Sequence, residues 1–148
     1  MMKRVLACLL TVMLFLTCVP AALAADNSRD FFFQLSVDGS DKKEVQPGDI
    51  IQVDFNLNRT DSADAYTMYG MQNEIRYDSN FFQLVEGSAL LSNGISTTDI
   101  GLRDNDREFY MNFVSLSGGE TWDAKRLVGS FKLKVIATSG VSKITNQD

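Results

Sequence analysis

The sequence predicts an all-β sandwich, and three observations carry that prediction. Short segments alternate apolar and polar residues with a period of two, turn residues separate them at close intervals, and no window beyond the first 24 residues holds a helical period. Many short strands without helices bury their apolar faces by packing as two facing sheets. No internal repeat or low-complexity tract competes with this reading.

The N-terminus reads as an export leader. Lys3 and Arg4 form a basic head, residues 5–19 are almost wholly apolar, and Ala22-Leu23-Ala24 supplies the small residues that a signal peptidase cuts after. Cleavage would make Ala25 the first residue, with residues 25–30 a polar spacer and residues 31–148 one sandwich domain. Thr17, not a small residue, precedes Cys18 and argues against lipidation. Contact with a membrane is expected only during export, and the destination is outside the cell, the bacterial surface included. Both cysteines, Cys8 and Cys18, leave with residues 1–24, so the domain is held by packing and not by a disulfide. Loss of Lys3 and Arg4 takes the formal charge from −5 to −7. An acidic chain without a basic stripe cannot neutralise phosphates, which excludes nucleic acid as a partner.

Taken in order, Phe31–Val37 reads as the first strand, with Phe33, Leu35 and Val37 on one side. Asp38-Gly39-Ser40-Asp41 turns the chain, residues 42–45 are a candidate short edge segment, and Pro47-Gly48-Asp49 forms a tight turn. Ile51, Val53, Phe55 and Leu57 then alternate with Gln52, Asp54, Asn56 and Asn58, as expected of a strand with one buried face. A polar loop over 59–65 follows; the glycosylation sequon at Asn58-Arg59-Thr60 is too short a pattern to carry weight.

Residues 66–84 come next. Tyr69, Met71, Ile75 and Tyr77 alternate with Gly70, Gln72, Glu74 and Arg76, Asp78-Ser79-Asn80 turns the chain, and Phe81, Phe82 and Leu84 anchor its return. Alternation sends Asn73 inward, so it needs a buried hydrogen-bond partner or a bulge that breaks the register. Short strands are expected at 89–91 and 95–100, and another over 109–116. Ser117-Gly118-Gly119 opens a loop carrying Thr121 and Trp122. Leu127, Gly129, Phe131, Leu133 and Val135 alternate with Val128, Ser130, Lys132 and Lys134; Ser139-Gly140 turns the chain, and residues 141–145 begin one more strand.

The chemistry open to these residues is narrow. The chain has no histidine, and beyond residue 24 it has no cysteine, which removes Ser-His-Asp and Cys-His nucleophilic schemes and the usual zinc ligand sets. Asp104 and Asp106, or Asp61 and Asp64, could serve a glycosidase only if two carboxyl groups faced each other across a cleft, and as loop acids they read as solvated. No segment has the spaced Asp-x-Asp-x-Asp-Gly of a calcium loop. The expectation is a protein that is not an enzyme, with no catalytic residue, no metal site and no cofactor. Trp122, alone or with Tyr66, Tyr69 and Tyr110, is the candidate platform for stacking a sugar; the alternative is that these rings fill the core.

Three segments resemble the cohesin family, the modules of secreted bacterial scaffolds that bind dockerin domains of polysaccharide-degrading enzymes. They are Val45-Gln46-Pro47-Gly48-Asp49 with the strand after it, residues 69–79, and Gly129-Ser130-Phe131-Lys132-Leu133-Lys134-Val135 leading to Ser139-Gly140. The resemblance implies a flattened jelly roll and a non-catalytic module of a cellulosome-like assembly, with a dockerin-bearing protein as partner. It implies a binding sheet face including Gly70, Gln72, Glu74, Phe113 and Leu116; where well-known cohesins carry Asn and Asp, Gly70 and Gln72 stand here. It also raises a conflict over residues 109–116. Hydrophobicity buries Phe109, Met111 and Phe113, whereas the family register turns Phe113 outward and buries Tyr110, Asn112 and Val114; a slip of one residue exchanges the faces. In cohesins a final strand returns beside the first, and here only residues 141–148 follow the Ser139-Gly140 turn. The jelly roll is therefore expected to lack that strand, as in a truncated product or a fragment. The alternatives are a carbohydrate-binding sandwich that takes polysaccharide and a structural surface or adhesin domain.

Overall fold

The computed structural model describes residues 31–60 and 65–147. The leader and spacer expected over residues 1–30, and loop residues 61–64 with Asp61 and Asp64, lie outside them.

Among the described residues eleven strands follow one another: β1 (Phe31–Val37), β2 (Ile50–Arg59), β3 (Tyr66–Met68), β4 (Gly70–Asp78), β5 (Phe82–Leu84), β6 (Leu90–Leu91), β7 (Ser96–Gly101), β8 (Asp106–Val114), β9 (Glu120–Trp122), β10 (Lys125–Val135) and β11 (Thr145–Gln147). A 3-10 turn, Arg103–Asn105, lies before β8. The first sheet runs β1-β2-β10-β5, with β6 also on β10; the second runs β11-β4-β8-β7; β3 and β9 pair apart from both. Every pairing is antiparallel. This is the predicted all-β sandwich.

The period-two alternation holds best in β2, where Ile51, Val53, Phe55 and Leu57 are all buried. The Pro47-Gly48-Asp49 turn forms as expected: the Asp49 N–H donates to the Gln46 carbonyl at 3.1 Å, and Gly48 takes the positive φ of 94° that a side chain resists. The edge segment expected over 42–45 forms no strand. The last strand forms at Thr145–Gln147 and pairs with Glu74–Arg76 of β4. β1 pairs along its whole length with β2, and among the described residues no strand flanks its other side.

Side chains from both sheets meet in one core. Phe109 of β8 stacks on Phe131 of β10 with ring centroids 4.1 Å apart, and Phe113 packs against Trp122 at 4.9 Å. Each such side chain removed from water contributes about 1.5–3 kcal/mol.

Two departures from the expected alternation have physical causes. In β10, Leu127 pairs with Asn56 and Gly129 with Phe55, so Val128 is the extra residue of a bulge. The bulge reverses the faces on its N-terminal side: Val128 is fully buried and Leu127 is half exposed, opposite to their expected places. In β8 the hydrophobic register wins. Phe109, Met111 and Phe113 face the core, Tyr110 and Asn112 are half-buried on the other side, and Val114 is exposed there. Seating Phe113 outward would give up its contact with Trp122 for a place in water.

Candidate functional site

The outer face of the β11-β4-β8-β7 sheet is the one broad surface on which the nominated residues come together. The register sets its rows. Gly70 lies opposite Val114, Gln72 opposite Asn112, Glu74 opposite Tyr110, and Arg76 opposite Glu108. On the far side of β8, Ser96, Thr98 and Ile100 of β7 continue these rows, while Gln147 and Thr145 of β11 flank Glu74 and Arg76. Directly opposed residues share a face, so these side chains all project outward while Ile75 and Tyr77 enter the core.

A hydrogen-bonded network stiffens the middle of the face. The Arg76 guanidinium binds Glu108 Oε1 through both Nε and Nη2, the Tyr110 hydroxyl donates to Glu108 Oε2 at 2.7 Å, and Gln72 Nε2 donates to Glu74 Oε1 at 2.8 Å. Arg76 and Tyr110 cover Glu108 so well that it is only 3% exposed, although it sits on an outward row. Arg76 beside it, with help from Tyr110, holds the Glu108 carboxyl below the usual range, and the same carboxylate pushes the Tyr110 hydroxyl up to about 12. Glu108 is therefore a locked hydrogen-bond acceptor, the wrong state for a general acid or base.

At one end the face turns flat and apolar. Gly70 is exposed in extended backbone, and a Cβ there would meet only the Phe113 carbonyl oxygen, at the ordinary contact distance of 3.6 Å. The fold does not require glycine at this position. What glycine provides is a shallow notch between Gln72 and the exposed Val114, with Leu116, 97% exposed, just beyond the end of β8.

The structure thus gathers Gly70, Gln72 and Glu74 on one face, with Leu116 at its end, and corrects two nominations. Phe113, expected in the binding face, is 2% exposed and faces inward. Trp122, expected as a sugar platform, is fully buried, with Phe113 on one side and the Arg126 guanidinium 4.4 Å from its ring. The aromatic set does not assemble: Tyr66 pairs with Trp122 between β3 and β9, Tyr110 lies on the outer face and Tyr69 stands exposed in the β3-β4 connection. Asp104 and Asn105 occupy the exposed 3-10 turn in left-handed backbone, with φ of 57° and 73°. Among the described residues, no group of three or more His, Cys, Asp or Glu is placed to hold a metal ion.

Sequence reasoning missed Arg76, Glu108 and Tyr110 as a unit, because 32 residues separate Arg76 from Glu108 and only the β4-β8 register joins them. It also missed the inner clamp at the β7 edge. There Asp99 accepts from Arg107 Nε at 3.0 Å and Nη2 at 2.7 Å and from the Tyr77 hydroxyl at 3.1 Å. Burial, then the charge of Asp99, pushes that hydroxyl up to about 12.

Comparison with known proteins gives this geometry a family. No curated protein matches the chain. Among solved structures it is similar to the seventh ScaB type I cohesin of Pseudobacteroides cellulosolvens, with a TM-score of 0.53, 12% identity, and 78% of this chain and 74% of that one covered. It is likewise similar to a type II cohesin domain from the cellulosome of Acetivibrio cellulolyticus, with a TM-score of 0.52 and 14% identity over 80% of this chain and 75% of that one. The Coh-OlpA-Doc918 complex, a type I cohesin-dockerin complex from Clostridium thermocellum, gives a TM-score of 0.54 and 16% identity over 78% and 81%. These likenesses show the sandwich fold. The cohesin domain model itself matches residues 33–148, from the third residue of β1 to the end of the sequence, and on that match the chain belongs to the cohesin domain family.

Proposed function

We propose that this chain is an exported, non-catalytic binding module whose β11-β4-β8-β7 face receives a dockerin-bearing protein, as part of an extracellular polysaccharide-degrading assembly. The observation that carries the reading is the outer face itself: a continuous four-stranded surface, polar and braced in the middle, with the Gly70 notch beside exposed Val114. Such a surface fits a helical partner that sets a bulky side chain into the notch and hydrogen bonds against Gln72, Glu74 and Asn112. The solved cohesin-dockerin complex from Clostridium thermocellum, of similar fold, supports the class of partner. Sugar binding through Trp122 is not favoured, since that ring is sealed inside.

The test is a calorimetric titration against a panel of dockerins, with Gly70→Arg as the probe. The new Cβ makes only an ordinary contact with the Phe113 carbonyl oxygen and the rest of the side chain lies on the exposed face, so melting stays within about 0.5 kcal/mol of the parent. Binding to at least one dockerin, weakened roughly a hundredfold or more in the variant, supports the reading. A panel without any binder, or a binder indifferent to Gly70→Arg, overturns it.

A further inference from the structure

Glu74 stands in the middle of the outer face without a counter-ion. Arg76, the next outward residue of β4, spends Nε and Nη2 on Glu108, which also takes the Tyr110 hydroxyl, so that pair is closed and neutral. On the inner side Arg107 closes Asp99 in the same way. Glu74 is half-buried, and no ion pair among the described residues reaches it. The other outward acids of these two strands, Asp78 and Asp106, oppose each other at the far end.

The groups around Glu74 are rich in acceptors. A carboxylate only accepts, so the Gln72 amide gives its nitrogen to Glu74 Oε1 at 2.8 Å, and its carbonyl oxygen takes no bond among the described residues. Tyr110, directly opposite on β8, donates its hydroxyl proton to Glu108, and Gln147, directly opposite on β11, commits Nε2 to Thr145 Oγ1 at 2.7 Å. The row therefore presents oxygen atoms and one negative charge that the chain itself does not compensate. Hydrogen bonds to an ionised group are about twice as strong as neutral ones, so the row favours a donor that brings a positive charge.

We propose that Glu74 determines specificity on this face, as a subsite that takes one basic side chain, arginine or lysine, of the docking partner; the proposal rests on the dockerin reading above. The register sets the distance of this subsite from the Gly70 notch. Glu74 lies four residues along β4 from Gly70, about 13 Å at 3.3 Å per residue. A helix lying along β4 rises 1.5 Å per residue and returns to the same face after about seven residues, roughly 10.5 Å; the long basic side chain spans the rest. The partner helix thus carries a bulky apolar residue for the notch and an arginine or lysine about two turns away. A partner with an acidic residue at that place is rejected, because like charges would meet in a contact closed to water.

The experiment is calorimetric titration of the parent chain, Gly70→Arg, Glu74→Gln and Asp106→Asn against the dockerin panel, Doc918 included, at low and high salt. Glu74→Gln removes the charge at a half-buried strand position and leaves the fold intact, as circular dichroism confirms. It weakens the binder roughly tenfold or more at low salt, and it flattens the loss of affinity that salt causes in the parent. Asp106→Asn removes the same charge at the far end and leaves affinity unchanged. Replacing each lysine and arginine of the binder by methionine, in double-mutant cycles with Glu74→Gln, finds one basic residue coupled to Glu74. Changing that residue to glutamate restores binding to Glu74→Lys. A dockerin that Gly70→Arg weakens but Glu74→Gln does not leaves the reading of the face standing and overturns this proposal. An equal loss in Asp106→Asn overturns it too, since net charge alone would then explain the effect. A panel without a binder, or a binder indifferent to Gly70→Arg, overturns the reading of the face and the subsite with it.

Discussion

Asn73→Val is expected to stabilise the protein. Asn73 lies in the middle of β4, opposite Met111 in an unbroken register, and is 2% exposed. The alternation therefore sends an amide into the core without a bulge to divert it. Neither its Nδ2 nor its Oδ1 has a hydrogen-bond partner among the described residues. Burying a polar group without a partner costs about 1–3 kcal/mol. Valine removes that cost, fits a strand backbone and adds an apolar side chain to the contact with Met111. Small shape mismatches in a packed core give back part of the gain, leaving a net stabilisation of about 1–3 kcal/mol. Urea unfolding followed by fluorescence should show a higher midpoint at unchanged m-value, and the melting temperature should rise by about 3 °C or more. Asn73→Asp is the control. A carboxylate at a dry site should destabilise strongly at neutral pH and recover as acid protonates it. If the valine variant is instead less stable by about 1 kcal/mol or more, the amide is satisfied in solution and the reasoning fails.

The remaining predictions use other parts of the sandwich. Trp122→Ala should cost about 3–5 kcal/mol in urea unfolding, without altering retardation on polysaccharide affinity gels. Glu108 has a lowered folded pKa, so its contribution is present above the unfolded carboxylate range, about pH 4.3, and is lost as pH falls through the folded value; Glu108→Gln should lower stability at neutral pH and flatten that acid limb in pH-dependent melts. Tyr77 and Tyr110 have raised pKa values near 12, so their stabilisation is intact below the unfolded value of about 10 and fades as pH climbs through 12, with late phenolate absorbance in an alkaline titration. Gly119 has φ of 83°, and a Cβ there would crowd Thr67 and meet the Met68 carbonyl at 3.0 Å; Gly119→Ala should destabilise by about 1–3 kcal/mol, read by thermal melting.

The parts legible in the sequence were those where one strand's own pattern suffices. Ile51, Val53, Phe55 and Leu57 announce a buried face, and the outward set Gly70, Gln72 and Glu74 follows from the same period. The pattern fails where chain geometry changes within a strand. Val128 and Leu127 are both aliphatic, so composition cannot show which of them a bulge sends inward. It also fails where two cues conflict, as at Phe113. There the cost of leaving a phenylalanine in water outweighed the register suggested by likeness, and Tyr110, Asn112 and Val114 took the outer face. Long-range pairs such as Arg76 with Glu108 were invisible because only strand register brings them together. Trp122 misled for a related reason: a Gly-rich neighbourhood suggests a loop, but Glu120–Trp122 forms a strand that turns the indole inside.

The lattice of contacts around Glu108 bears on the thermodynamics of association. Arg76, Glu108 and Tyr110 hold one another in fixed rotamers before any partner arrives. Freezing a long side chain at an interface ordinarily costs about 0.5–1.5 kcal/mol. A partner docking on this face as proposed would find much of that loss already met during folding at the centre of the sheet, with the exposed Val114 and Leu116 at its apolar end.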